Sequence, residues 1–248
     1  MRALILWLLT VLSLPGQADQ ALAAVAANFA DPVGGLVDRF EAETGHKIRV
    51  ATGATGALTA QIVQGAPYDL LLAADQARPE RLVQAGLALA DSRFTYAQGQ
   101  LTLWSPDPAR LSGDGEAVLT EGAFQRLALA NPALAPYGEA AMQVLSALGV
   151  AEPLRDRLVM GENIGQTFAL VATGNAELGF VALAQVVSPR RQAEGSRWDV
   201  PQHLYPPIRQ DAVLLTRARN NTAARAFLAW LATAQVQSRL GDLGYAVD

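Results

Sequence analysis

A turn rich in threonine and glycine, Thr52-Gly53-Ala54-Thr55-Gly56-Ala57, carries the residues in this chain that are best suited to binding chemistry. It lies between the apolar run Ile48–Ala51, a predicted strand, and the run Leu58–Val63, a predicted helix. Small residues let the backbone approach a ligand, and the first amides of a helix carry the positive end of its dipole. The turn therefore predicts an anion site, in which Thr55 either contacts the anion or only caps the helix.

Three other junctions have the same position, after a predicted strand and before a predicted helix: Asn28–Asp31, Asn131–Gly138 and Gly161–Gly165. None of the four contains Lys, Arg or His, and their charged residues, Asp31 and Glu162, are interpreted as a helix cap and a solvent-facing turn residue. Neutral donors alone suit an oxyanion that carries acceptors and no proton. The predicted donors are the backbone amides of Thr55, Gly56, Tyr137 and Ile164, the Thr55 hydroxyl and the Asn28 side-chain amide.

Each junction also has a simpler interpretation. Helix starts favour Ser, Thr, Asn and Asp, so Thr55 is as readily a capping residue as a ligand. Tyr137 could pack its ring against the helix start, and Asn163 could serve only as an N-cap. These alternatives stay open from the residues alone.

The elements that position these junctions alternate between strands and helices, which predicts an α/β protein with parallel sheets. Two lobes, each presenting two junctions to a shared cleft, would bring all four together, since ligands collect at the carboxyl ends of strands. The chain is expected to change lobe near residues 96–100 and 206–210. The predicted strands are 48–51, 68–73, 101–105, 127–130, 158–160, 178–183 and 212–216, and the predicted helices are 32–40, 58–64, 75–85, 136–148, 164–173 and 222–240.

Composition narrows the class of protein. The 248 residues are 51% hydrophobic, contain no cysteine and carry a net charge of −4. This excludes disulfides and thiol chemistry and argues against nucleic acid as a partner. The start of the chain, Met1-Arg2, then an apolar run to Leu14 and Pro15–Ala18, is typical of a cleaved export signal ending at Ala18.

Enzyme motifs are missing from the sequence. It has no G-x-S-x-G, no H-E-x-x-H and no clustered metal ligands, and His46 and His203 are isolated. Gly56 is not followed by the Lys-Ser/Thr of a nucleotide phosphate loop. We therefore expect neither catalysis nor a cofactor.

Motifs along the whole mature chain resemble the periplasmic molybdate-binding proteins of ABC transporters. The resemblance rests on runs in the same order as in that family. They are Ala26–Phe29, Gly53–Gly56, Ala60–Ile62, Gly65–Pro67, Leu72–Asp75, Ser92–Tyr96, Asn131-Pro132, Ala135–Gly138, Gly161–Ile164 and Gly174–Leu183.

The resemblance implies a two-lobed type II periplasmic binding fold, with a mostly parallel sheet in each lobe, flanking helices and a ligand cleft between the lobes. Lobe 1 would comprise 19–97 and 208–248, and lobe 2 would comprise 98–207. It implies a monomer in the periplasm that passes molybdate or tungstate to permease subunits. Some members have a ligand tyrosine where this chain has Ala182, which supplies no hydroxyl. The ligand residues implied by the match are Asn28, Thr55, Tyr137 and Ile164.

A binding protein for another tetrahedral oxyanion, sulfate or phosphate, is the alternative. A carboxylate binder would bring an arginine to the cleft, for which Arg93 and Arg209 are candidates, both interpreted instead as surface or interlobe pairs. A phosphate binder would need a buried acceptor for the phosphate proton, which Asp31 or Asp75 could supply.

Overall fold

The structure is a computed structural model that describes residues 19–111, 114–191 and 193–246. The predicted export signal at 1–18 lies outside the described residues. Within the described ranges the strands form two sheets with helices packed against both. None of the helices in these ranges has the length and apolar character needed to cross a membrane.

The first sheet has the strand order β11-β4-β10-β3-β1-β2. Its centre is apolar because β1 and β3 are buried on both faces, as expected for strands covered by helices on either side. Strands β1 to β4 run in one direction, and β10 and β11 run in the other. The strands are β1 (Gln20–Ala26), β2 (Lys47–Gly53), β3 (Leu70–Leu72), β4 (Phe94–Gly99), β10 (Ile208–Leu214) and β11 (Tyr245–Ala246).

The second sheet has the order β7-β6-β8-β5-β9. Of these five strands, β5 runs opposite to the other four, because it pairs antiparallel with both β8 and β9. In each sheet most strands therefore run in one direction, as predicted, and antiparallel pairing occurs where β10, β11 and β5 run opposite to their neighbours. The strands are β5 (Leu101–Ser105), β6 (Leu127–Ala130), β7 (Leu158–Gly161), β8 (Leu178–Ala182) and β9 (Ser196–Asp199).

Helices fill the connections, and several begin or end as local sequence signals predict. Gly45 ends the first helix in a left-handed conformation with φ 77°, and Pro136 opens α5. The helices are α1 (Ala30–Thr44), α2 (Thr55–Val63), α3 (Ala77–Gln84), α4 (Gly115–Glu121), α5 (Pro136–Ala147), α6 (Ala151–Leu154), α7 (Ile164–Ala172), α8 (Leu183–Val186), α9 (Thr222–Leu231) and α10 (Ala234–Asp242).

Some element boundaries differ from the sequence expectation. The helix predicted at 222–240 is broken at Thr233, whose extended backbone lets α10 turn and bury Val236 and Leu240 in the core. The strand predicted at 212–216 begins earlier, at Ile208, because its polar first half pairs with β4. The helix after the Thr/Gly turn begins at Thr55 rather than Leu58.

The chain passes between the sheets at two places. Gln100 separates β4 in the first sheet from β5 in the second, and residues 200–207 lead from β9 back to β10. The carboxyl ends of β1, β2, β6 and β7 face the gap between the sheets, where their helices begin. The exact lobe limits, 19–97 with 208–248 and 98–207, remain a prediction.

Candidate functional site

The four predicted junctions meet at one small cavity between the sheets. Its free volume is about 10 Å³ for the centre of a water-sized sphere, which is about the room that one water molecule needs. Backbone and short side chains form most of its wall, so the amides at the helix starts lie close to the space inside. The lining residues are Ala26, Ala27, Asn28, Gly53, Ala54, Thr55, Ala74, Ala135, Pro136, Tyr137, Asn163 and Ile164.

No charged side chain lines this cavity among the residues that the structure describes. Asp75 accepts from the Arg78 amide at 2.8 Å and pairs with the guanidinium at 2.5 Å, and Asp31 pairs with Arg191. Both carboxylates are therefore satisfied outside the cavity wall. A ligand here would meet only neutral groups.

Thr55 lies at the start of α2 and is 1% exposed. The N-cap position belongs to Ala54, and the Thr55 hydroxyl does not cap the helix. Its Oγ1 instead accepts a hydrogen bond from the Ala74 amide at 3.0 Å. The capping alternative is therefore wrong for Thr55, and its hydroxyl proton is left for another acceptor.

Asn28 lies in a short 3₁₀ turn directly after β1 and is 1% exposed. Its Nδ2 donates to Gln210 Oε1 at 2.9 Å and to the Tyr245 hydroxyl at 3.2 Å. Its Oδ1 is buried and has no hydrogen-bond partner. Sequence reasoning expected the amide nitrogen to serve the ligand, whereas here that nitrogen is bonded to Gln210 and Tyr245.

Tyr137 places its backbone amide in the first turn of α5, after Pro136, where an amide has no helical acceptor. Its ring is buried, and the hydroxyl accepts from Gln210 Nε2 at 3.1 Å. Burial raises the pKa of the Tyr137 hydroxyl, which therefore stays neutral. The ring is thus part of a polar cluster and not only a packing group.

Ile164 is the first residue of α7, and Asn163 is the N-cap, as its alternative interpretation predicted. Asn163 Oδ1 accepts from the amides of Gly165 and Gln166 at 2.9 and 3.0 Å. This satisfies the second and third amides of the helix and leaves the first, that of Ile164, at the cavity wall. Gln185 Nε2 fixes the turn by donating to the Ile164 carbonyl at 3.2 Å.

The structure corrects the prediction that the Gly56 amide is a donor to the ligand. Its amide donates to the Leu134 carbonyl at 2.9 Å, so it is not free for a ligand in this structure. A Cβ at Gly56 would lie 3.0 Å from the same carbonyl oxygen. The glycine therefore allows α2 to touch the segment before α5 and holds the two sides of the cavity together.

Sequence reasoning missed the polar side chains behind the cavity, above all Gln210, which is 0% exposed. It lies far along the chain from Asn28, in a strand whose start was not predicted, so no local motif marks it. Arg93 pairs with Asp211 at 2.7 Å within the first sheet and does not reach the cavity. Ala182 is buried and, as expected, offers no hydroxyl.

Comparison with known proteins gives consistent matches. The family model for "Bacterial extracellular solute-binding protein" matches residues 21–246. The chain is 46% identical over 238 residues to the molybdate-binding protein ModA of Azotobacter vinelandii, covering 96% of this chain and 94% of that relative. It is 44% identical over 237 residues to ModA of Rhodobacter capsulatus, covering 96% and 92%.

A solved structure extends these matches to the fold. The periplasmic molybdate-binding protein of Azotobacter vinelandii superposes with a TM-score of 0.87 at 37% identity, covering 92% of this chain and 99% of that one. The two-lobed periplasmic binding fold predicted from the sequence is thereby confirmed.

Proposed function

Because the chain belongs to the family of bacterial extracellular solute-binding proteins, we propose that it captures molybdate, or tungstate, between its lobes and delivers it to an ABC permease. The relatives that support this proposal are named as molybdate-binding proteins and match nearly the whole chain. The protein acts by binding and release, as a transport component. We further propose that it works as a monomer in the periplasm.

The proposal rests mainly on the lining of the cavity. Among the described residues this lining contains neutral donors and no charged side chain. An anion buried there must be held by hydrogen bonds, each of which contributes roughly 1.5–3 kcal/mol when the acceptor is charged. Phosphate near neutral pH still carries a proton and benefits from an acceptor carboxylate, for which Asp31 and Asp75 are the candidates. Since Arg191 and Arg78 occupy those carboxylates, the wall favours a fully deprotonated oxyanion.

We assign the donors as the amides of Thr55, Tyr137 and Ile164, the Thr55 hydroxyl and the Asn28 side-chain amide. Each lies on the cavity wall. Gly56 leaves this set because its amide is bonded to Leu134, and it serves closure of the cleft instead.

Sulfate is also fully deprotonated, so size must distinguish it from molybdate. The backbone donors lie at the starts of α2, α5 and α7, whose positions are fixed by the sheets. Fixed donors match one anion size best, and a smaller tetrahedron would leave some of them without an acceptor. Sulfate therefore remains the alternative that the experiment must exclude.

Closure of the lobes would trap the anion. Contacts already cross the cleft in this structure: the Gly56 amide to Leu134, and Arg78 Nη2 to the Ala133 carbonyl at 3.3 Å. We propose that these contacts form on closure, with residues 19–97 and 208–248 as one lobe and 98–207 as the other, and break when the permease opens the cleft.

The test is a calorimetric and thermal-shift panel with molybdate, tungstate, sulfate and phosphate on the mature protein. Molybdate and tungstate are expected to raise Tm strongly, since a ligand that binds the native state stabilises it by mass action. Asn28→Asp, which places a carboxylate at the cavity, should abolish the shift, whereas Asn220→Asp, the same change at an exposed site, should not. Equal stabilisation by sulfate or phosphate would overturn the assignment of ligand.

A further inference from the structure

Gln210 lies at the centre of a buried cluster directly behind the cavity. Its Oε1 accepts from Asn28 Nδ2 and from the Tyr96 hydroxyl, both at 2.9 Å, and its Nε2 donates to the Tyr137 hydroxyl at 3.1 Å. The Tyr245 hydroxyl completes the cluster by donating to the Asn28 carbonyl at 3.1 Å. Gln210 thus joins two of the proposed ligand residues, one from each side of the cleft.

In this arrangement one polar atom of the cluster is unsatisfied. Asn28 Oδ1 is buried without a partner, although Asn28 lines the cavity. A buried acceptor without a donor is unfavourable, because it has lost its hydrogen bonds to water and gained none in the protein. It would also repel an oxyanion, which offers only acceptors itself. A bound oxyanion would need a donor where Asn28 presents the unpaired Oδ1.

Reversing the side-chain amides of Asn28 and Gln210 together removes this conflict. Gln210 Nε2 would then donate to Asn28 Oδ1 and to the Tyr96 hydroxyl, which donates onward to the Ala73 carbonyl, now 3.2 Å away. Gln210 Oε1 would accept from the Tyr137 hydroxyl. Hydroxyl groups donate and accept, so Tyr96 and Tyr137 fit either form, whereas the Tyr245 hydroxyl would move its one proton from the Asn28 carbonyl to Asn28 Oδ1. The reversal leaves Asn28 Nδ2 free for the anion.

The position of Gly99 shows independently that the side chains of this cluster are tightly packed. A Cβ at Gly99 would lie 2.0 Å from the Tyr137 hydroxyl and 2.6 Å from Gln210 Nε2. The position is the last residue of β4, immediately before the chain crosses to the second sheet. Only glycine leaves room there for the contact between Gln210 and Tyr137.

We propose that Gln210 is a positioning residue for the anion: by reversing its amide together with that of Asn28, it turns the Asn28 nitrogen toward the ligand. This inference rests on the proposed function, since it concerns the same site. Gln210 itself does not line the cavity and acts through Asn28 and Tyr137.

The experiment uses Gln210→Glu, which keeps the shape of the side chain and makes its donor depend on pH. When ionised, the introduced carboxylate only accepts hydrogen bonds, so it holds Asn28 Nδ2 toward itself and leaves Oδ1 to the ligand. When protonated, the same carboxyl has one O–H that can donate to Asn28 Oδ1. Burial raises the pKa of a carboxyl by up to several units, which brings this change into the range of roughly pH 5 to 8.

The hydroxyls of three tyrosines, Tyr96, Tyr137 and Tyr245, belong to the cluster around residue 210. Burial raises the pKa of Tyr96, Tyr137 and Tyr245, so all three hydroxyls stay neutral. Asp211 is adjacent in sequence and is paired with Arg93. Electrostatic interaction with nearby carboxyl groups also raises the pKa of two of these tyrosines. The groups are Asp211 and Asp75 for Tyr96, and Asp31 for Tyr245.

Molybdate affinity is measured by calorimetry from about pH 5 to pH 8 for wild type, Gln210→Glu, Gln210→Leu and the exposed control Gln235→Glu. We expect the glutamate variant to bind at least about tenfold more weakly than wild type at the upper pH and to recover toward it at the lower pH. The leucine variant should be weak throughout, and the control should follow wild type, which corrects for protonation of molybdate itself.

The outcomes separate the inference from the function on which it rests. If wild type does not bind molybdate, the proposed function fails. If wild type binds and Gln210→Glu binds equally well, or loses affinity by the same factor at every pH, Gln210 does not position Asn28 and the inference is wrong. Should Gln210→Leu fail to fold, the pH profile of the glutamate variant still decides.

Discussion

The Thr55 hydroxyl oxygen accepts a hydrogen bond from the backbone amide of Ala74, 3.0 Å away. A hydroxyl has one proton and two acceptor lone pairs, and this contact uses only a lone pair. The bond also orients the side chain, because Ala74 follows β3 and is itself 2% exposed. The segment that follows β3 therefore fixes the Thr55 side chain and leaves the hydroxyl proton for another acceptor.

Thr55→Val is expected to weaken molybdate binding by about 10- to 100-fold, because it removes one hydrogen bond to a charged ligand. It also leaves the Ala74 amide without its acceptor, so the variant should unfold at a lower temperature. Calorimetry on the folded protein separates the two effects.

Two controls make this result specific. Thr55→Ser keeps the hydroxyl and should retain most of the affinity. Thr59→Val lies one turn further along α2, where its hydroxyl bonds only to the Thr55 carbonyl at 2.8 Å, and should bind normally. Unchanged affinity in Thr55→Val would remove the hydroxyl from the donor set and leave only the Thr55 amide.

Local signals in the sequence predict most of the segments that meet at the candidate cavity. The junctions could be predicted because apolar strands, small turn residues and helix starts are each encoded within a few neighbouring residues. Asn163 capping α7 and Gly45 ending α1 are of this kind. The prediction that Asp31 caps α1 is wrong, because Phe29 is the N-cap. Asp31 lies in the first turn of α1, where acidic residues are common, and pairs with Arg191 from a distant segment.

Contacts between distant segments could not be predicted in this way. Asn28 and Gln210 are separated by 182 positions, and their hydrogen bond depends on the register of β10. The register shifts at a bulge between Gln210 and Asp211, and no pattern of residues in the sequence predicts this bulge. The bond between Gly56 and Leu134 likewise depends on how the two sheets sit relative to each other, and it uses an amide that was expected to serve the ligand.

Gly99→Ala is expected to weaken molybdate binding while the protein stays folded. The new methyl group would overlap the Tyr137 hydroxyl and Gln210 Nε2, so the side chains must move apart. If displaced, Gln210 no longer bridges Asn28 and Tyr137, and we expect an affinity loss of about tenfold or more. Calorimetry at fixed pH measures it.

Gly35→Ala is the matched control for this change. Gly35 lies within α1, and a Cβ there meets only Arg190 Nη2 at 3.6 Å, an ordinary contact. Alanine favours the helix, so this variant should be as stable as wild type or more so, with unchanged affinity. A Gly99→Ala protein that binds like the control would show that the cluster tolerates displacement.

Glu177 is expected to make the second sheet sensitive to acid. Burial by itself raises the pKa of this carboxyl, but hydrogen bonds from the amides of Gln125 and Arg126, at 2.9 and 2.8 Å, outweigh it and leave the pKa lowered. A lowered pKa in the folded state stabilises the protein above the ordinary carboxyl value, and this contribution is lost as pH falls through the folded pKa.

Glu177→Gln should therefore lower Tm at neutral pH by an amount corresponding to about 1 kcal/mol or less, since solvent screens this partly exposed group. The difference from wild type should shrink as pH falls below the ordinary carboxyl pKa and vanish below the lowered pKa of folded Glu177, where both side chains are neutral. Glu121→Gln, an exposed position at the end of α4, provides the control in the same melting series. A difference that persists unchanged into acid would mean that the carboxylate charge plays no part.

Arg191 is expected to favour the closed form of the cleft. It lies between β8 and β9 of the second sheet, pairs with Asp31 at the start of α1, and stacks over the Phe168 ring with its guanidinium carbon 4.6 Å from the ring centre. Arg191→Met keeps much of the apolar contact and removes the charge. Because the pair is partly buried, we expect about 1 kcal/mol less stabilisation of the closed form and a several-fold weaker affinity for molybdate.

Salt dependence distinguishes this effect from a general loss of packing. Added salt screens a partly exposed ion pair, so wild-type affinity should fall with ionic strength more steeply than that of Arg191→Met. Arg155→Met removes an exposed pair with Glu152, which lies away from the cleft, and should keep the wild-type slope. Because the ligand and its charge are the same in all three proteins, a common slope would mean that the pair between Asp31 and Arg191 does not contribute to closure.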